Sequence, residues 1–149
     1  MNFSMRILGV DYGHKRIGLA YADELGVALP VRAATQTSFD ERMEYIAKIV
    51  KERRVEKFVV GYPYNMDGTA GAKALEVDDF ILKLKEKFSL PVDIEDERLT
   101  SFQAEAEISM FTSARKKSVQ ARKKQRAAGD VDSRAAAIIL QEFLSNETL

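Results

Sequence analysis

Met5-Arg6-Ile7-Leu8-Gly9-Val10-Asp11-Tyr12-Gly13-His14-Lys15-Arg16-Ile17-Gly18-Leu19-Ala20-Tyr21-Ala22 is the stretch on which the fold turns. Met5 to Asp11 is short, apolar and rich in β-formers, the pattern of a buried strand that stops at a turn. Tyr12 to Arg16, with Gly13 inside it, makes a tight connection, and Ile17 to Ala22 reads as a second strand. Asp23 to Gly26 is the next turn. Val27 to Arg32 reads as a third strand, interrupted by Pro30 and therefore expected at an edge. Loops this short join antiparallel neighbours.

Beyond this meander the pattern changes. Phe39, Met43, Ile46, Ala47 and Val50 recur at helical spacing, on a helix that starts near Ser38 or Asp40. Lys57 to Gly61 is a compact buried strand. Tyr62 to Gly71 is a loop dense in turn formers. Ala74, Val77, Ile81, Leu84 and Phe88 mark the next helix, and Pro91 to Glu95 a fifth strand. Thr100 or Ser101 caps a helix with Ala104, Ile108 and Phe111 on one face. A last helix is expected from about Val131 to Leu144, with Ala135, Ala136, Ile139 and Phe143 inward. Three meandering strands followed by alternating strands and helices predict an α/β domain, a mixed sheet covered by helices.

The chain has 149 residues, a typical length for one domain, and 46% of them are hydrophobic, enough to fill a core. It has no cysteine and one histidine, which excludes disulfides, thiolate metal sites and a histidine-rich zinc cluster. The start MNFSMRILGV lacks the pattern of a signal peptide, and no apolar run reaches the ~20 residues of a membrane span. A cytoplasmic protein with no membrane partner is expected. Formal net charge is zero, with 23 basic and 23 acidic residues. Seven of the twelve residues from Arg115 to Arg126 are basic and none is acidic, so the remainder is net negative by the same seven. The segment 113–129 is nearly devoid of large apolar residues and is expected to be mobile.

Several carboxylates sit where chemistry is plausible. Asp11 ends an apolar strand, where a carboxylate is costly unless solvated, paired or metal-bound; an aspartate that merely starts a turn is the plain alternative. Asp93 to Glu97 holds four acids in five residues, a crowding that a divalent cation would relieve and Arg98 could relieve in part. Asp130 and Asp132 open the last helix, where capping explains one more easily than both. Carboxylates converging from separate elements can hold Mg2+ together with phosphate oxygens. Lys and Arg in the 115–126 run suit phosphate contact, although a solvated surface run is the usual fate of such clusters. The glycines of the 61–71 loop could offer backbone N–H groups to phosphate or simply build a loop; no Walker pattern is present.

Four segments together resemble the YqgF/RuvX family: Gly9-Val10-Asp11-Tyr12-Gly13 with Lys15-Arg16-Ile17-Gly18, then Val60 to Gly68, then Asp96-Glu97-Arg98-Leu99-Thr100-Ser101, then Val131-Asp132-Ser133-Arg134-Ala135-Ala136. They come in the family's order and span nearly the whole chain. The second departs from the usual pattern, with Tyr62 and Tyr64 where leucines are more common.

The resemblance implies one RNase H-like domain over residues 1–149, with a five-stranded sheet in the order 3-2-1-4-5. It implies a nuclease that matures the 5′ end of the 16S rRNA precursor, or resolves Holliday junctions. Asp11, Glu97 and Asp132 become the catalytic, metal-holding acids for Mg2+ or Mn2+, with Asp96 and Asp130 as reserves. In that sheet order Glu97 leaves a strand two places from Asp11, about 9.5 Å away. Lys15, Arg16, Arg98, Arg115, Lys116, Lys117, Arg122, Lys123, Lys124 and Arg126 become the nucleic-acid contacts. The expected partners are precursor rRNA, branched DNA and the small ribosomal subunit, with the protein a monomer or weak homodimer. Two other classes compete. Asp11-x-Gly13 followed by Gly18 also resembles the phosphate loop of actin-like ATPases, which need two such domains to enclose ATP. A non-catalytic RNA-binding module of ribosome assembly would keep the basic run and use the acids structurally.

Overall fold

A computed structural model describes residues 5–97 and 130–147, with side chains for residues 133–146 of the last helix. The elements are β1 (Ile7–Tyr12), β2 (Ile17–Ala22), β3 (Leu29–Ala34), α1 (Phe39–Arg53), β4 (Lys57–Tyr62), α2 (Ala72–Phe88), β5 (Val92–Asp96) and α3 (Asp130–Glu147). The strands form one sheet in the order β3-β2-β1-β4-β5. β1, β2 and β3 pair antiparallel, whereas β4 and β5 join in parallel, as expected where helices make the crossovers.

The alternation of strand side chains divides the core in two. On one face Leu8, Val10, Ile17, Leu19, Phe58 and Val60 pack with residues of α1 and α2, including Met43, Ile46, Phe80 and Leu84. On the other, Ile7, Ala20, Ala22 and Val59 meet Ala136, Ile139, Leu140 and Phe143 of α3. Gly9 lets α3 approach closely, since a Cβ there would lie 2.8 Å from Leu140 Cβ. Helix α1 begins with a capping box, in which Ser38 and Glu41 satisfy each other's backbone N–H groups.

Several expectations need correction. β3 runs over Leu29–Ala34, two residues later than the Val27–Arg32 expected. Pro30 does not interrupt it but pairs with Ala20 on the edge strand, where a missing N–H is tolerated. The last helix extends from Asp130 to Glu147, beyond both expected ends. Its inward face carries Leu140 where Ala135 was expected; Ala135 is only half-buried. In α2 it is Phe80, not Ile81, that is fully buried. The helix expected after Thr100 and the basic segment 113–129 lie outside the described residues. Among the described residues no helix is long and apolar enough to cross a membrane.

Ser133 ties α3 to the meander. Its hydroxyl is fully buried, accepts a hydrogen bond from the Leu19 N–H at 3.4 Å and donates one to the Val31 carbonyl. The β2–β3 register shifts between Ile17 and Leu19, next to this bridge. Ser133→Ala removes the partner of one buried and one part-buried backbone group. We expect it to cost about 1–3 kcal/mol in urea unfolding, more than an exposed serine would.

Candidate functional site

Asp11 is the next-to-last residue of β1, on the face turned towards α3, opposite Gly18 of β2. Val10 pairs with Val60, so one step further Asp11 is level with Gly61 of β4. Asp11, itself half-buried, therefore stands between two strands that carry glycine at its height and on its face.

Glu97 directly follows β5 and is 9% exposed. Its side chain folds back over β4: a Cβ built on Gly61 would lie 2.9 Å from Glu97 Oε1 and 3.1 Å from its Cδ. The carboxylate thus crosses one of the two strand spacings that separate its strand from Asp11. The remaining spacing is about 4.8 Å.

Asp96 differs. It pairs in register with Tyr62, whose ring belongs to the α1–α2 core, so strand alternation turns Asp96 to the face away from Asp11. Asp130 and Asp132 lie in the first turn of α3, and their side chains are outside the described residues. Arg98 and the basic residues from Arg115 to Arg126 also lie outside them.

Lys15 and Arg16 are exposed in the β1–β2 turn, just beyond Asp11. That turn is held by a residue whose importance the helical periodicity hid. Arg42, 8% exposed, donates to the backbone carbonyls of Gln36 at 2.7 Å, Thr37 at 3.1 Å and His14 at 3.1 Å. His14 also faces Glu76 of α2 at 3.0 Å.

The loop after β4 is a closed turn, not an open row of donors. Asn65 N–H donates to the Thr69 carbonyl and Gly68 N–H to the Asn65 carbonyl, while Asp67 accepts from both the N–H and the hydroxyl of Thr69. Beside it, the Tyr62 hydroxyl donates to Asp78 at 3.1 Å, and the Tyr62 and Tyr64 rings lie 4.7 Å apart. Burial, then the Asp78 hydrogen bond, pushes the Tyr62 hydroxyl above its ordinary pKa. The tyrosines carried no recognisable signal in the sequence; a hydroxyl on an otherwise apolar strand end was the only clue.

Glu95 lies on the α3 side of β5, where Asn146 donates to it at 3.3 Å. Burial first, then the carboxylates of Glu142 and Asp96, raise its pKa, and the Asn146 bond opposes them. A raised native pKa means that the folded state holds the proton longer, so stability falls as pH rises from the ordinary glutamate value towards the raised one. Glu142→Gln should therefore raise the thermal midpoint at pH 7. Solvent screening keeps the gain under about 1 kcal/mol. It should fade below about pH 4.3, where glutamates are protonated in both states. Melting curves across that range check it.

The donors of this site are carboxylate oxygens, which suit a hard divalent ion such as Mg2+ or Mn2+. The buried Glu97 carboxylate turned towards the face of Asp11 fits such an ion. Among the residues described with side chains, no three acids or histidines converge as a complete ligand set.

The family model described as "RuvX: Holliday junction resolvase" matches residues 5–146. A protein of Opitutus terrae named "Putative pre-16S rRNA nuclease" is 46% identical over 141 residues, covering 94% of this chain and 91% of that one. A protein of Anaeromyxobacter with the same name is 41% identical, covering 94% and 96%. Among solved structures, RuvC of Thermus thermophilus bound to a Holliday junction substrate superposes with a TM-score of 0.53 at 15% identity, over 97% of this chain and 96% of that one. That likeness establishes a common RNase H-like fold. With the family model spanning the chain almost end to end and relatives this similar over nine-tenths or more of their length, the chain belongs to the RuvX family.

Proposed function

We propose that this chain is a divalent-metal-dependent endonuclease that processes the 5′ end of the 16S rRNA precursor in the cytoplasm. The observation that carries the reading is the placement of Asp11 and the buried Glu97 carboxylate over neighbouring strands on one face of the sheet. The names of its relatives support the substrate. Asp11, Glu97 and Asp132 would hold Mg2+ or Mn2+. When bound, such an ion lowers the pKa of water and offsets the charge that builds on the phosphate.

The protein's own contribution is arrangement. Asp11 and Glu97 supply negative charge at fixed positions, with α3 covering the sheet on their side. Lys15 and Arg16, exposed on the turn braced by Arg42, would meet backbone phosphates near the scissile bond. Arg98 and the basic residues Arg115, Lys116, Lys117, Arg122, Lys123, Lys124 and Arg126 would add contacts whose strength falls with salt.

The description of the family model favours a second substrate, a branched DNA junction. Incubating the protein with precursor 16S RNA fragments and with a four-way DNA junction, in Mg2+, Mn2+ and EDTA, separates the readings. Metal-dependent RNA cleavage is the expected result. Faster cutting of the junction would move the substrate to DNA. Tight RNA binding without cleavage in either metal would replace the nuclease with a binding module.

A further inference from the structure

Gly61 lies on a buried strand and has no conformational need to be glycine. Among the described residues the glycines with positive φ are Gly26 and Gly68. What Gly61 provides is space. A Cβ at this position would meet two neighbours, Ile139 Cδ1 at 2.5 Å and the Glu97 carboxylate, whose Oε1 would be 2.9 Å away. The first neighbour is the end of a flexible core side chain on α3. The second is an acid that directly follows the next strand.

We infer that Gly61 is a positioning residue of the site: its missing side chain is the seat over which the Glu97 carboxylate reaches towards Asp11. The inference rests on the metal-dependent reading above. A Cβ at Gly61 pushes the Glu97 carboxylate off the α3 face of β4 and back towards β5. That widens its separation from Asp11 towards the two-strand distance of about 9.5 Å, too far for both to hold one ion directly. The position thus acts on Glu97 and through it on the ion, without touching substrate.

The two neighbours can be separated experimentally. Ile139→Val deletes Cδ1 and removes the core clash, so Gly61→Ala in that background leaves Glu97 as the group that must move. Mn2+ binding by titration calorimetry, without nucleic acid, is the readout, with thermal melting to confirm folding. The expected result is Ile139→Val binding like the unmodified protein, and Gly61→Ala/Ile139→Val binding at least about tenfold more weakly while melting as a folded protein. In a Glu97→Gln background, which is itself weakened, adding Gly61→Ala/Ile139→Val should cause no further loss, as both changes act on the same carboxylate. Unchanged Mn2+ affinity in Gly61→Ala/Ile139→Val, or a loss that persists in full in the Glu97→Gln background, would overturn the role of Gly61 while leaving the metal reading intact. Failure of the unmodified protein to bind Mn2+ would overturn the metal reading, and the role of Gly61 with it.

Discussion

Asp11→Asn lowers the rate of metal-dependent phosphodiester cleavage by at least about 100-fold, the larger of the two main effects expected. Groups that only support a metal ligand already contribute ~10- to 100-fold, so a ligand itself should contribute more. The change is nearly isosteric and removes one negative charge from a half-buried strand position flanked by Gly18 and Gly61. The fold should persist, with stability within about 1 kcal/mol of the original. Single-turnover cleavage at saturating Mg2+, alongside a melting curve, checks both parts. Asp96→Asn is the informative partner, since Asp96 sits on the opposite face of the sheet. It should leave the rate within a few-fold. Equal losses in the two variants would mean that overall negative charge, and not a directed carboxylate, matters here.

The largest loss of stability is expected from Phe80→Ala. Phe80 is 1% exposed, its ring stacks on Tyr12 at 4.5 Å and meets Phe39 edge-on at 6.3 Å. Removing a buried phenyl ring costs ~3–5 kcal/mol through lost burial and the cavity left behind. Domains of this kind are stable by only ~5–15 kcal/mol, so a third or more of the total can disappear. Urea unfolding should show a lower midpoint with an unchanged slope. The effect reaches the site as well, because Tyr12 directly follows Asp11 and loses the surface that fixes it. Variant protein that is still folded should therefore cut more slowly than its folded fraction accounts for.

The meander and the alternating half were legible because their signals are local: short loops fix antiparallel neighbours, and helical periodicity fixes α1 and α2. The order of the central and outer strands came from the resemblance, and the sheet has that order. Where the reading slipped, a tertiary contact had outweighed the local pattern. Pro30 reads as an interruption, yet an edge strand has a side that needs no donor. Arg42 lies between the apolar positions that mark α1 and carries no signal of its own, yet three backbone carbonyls draw it in. Asp11 was legible from the cost of placing a carboxylate on an apolar strand. The difference between Glu97 and Asp96 was not, because a one-residue shift in the register of β5 on β4 would exchange their faces. Gly61 was read as the end of a strand and the start of a loop but not as part of the site, since nothing in a sequence records a side chain arriving from another strand.

The packing of α3 also has a consequence for biosynthesis. One face of the sheet has its core supplied by Ala136, Ile139, Leu140 and Phe143 of α3, which is made after the other described elements. A nascent chain can bury Leu8, Val10 and Phe58 under α1 and α2 while Ile7, Ala20 and Val59 still lack their cover. Until α3 emerges from the ribosome, such a chain leaves an apolar sheet face without cover, the kind of transiently exposed surface that makes a nascent chain prone to aggregate.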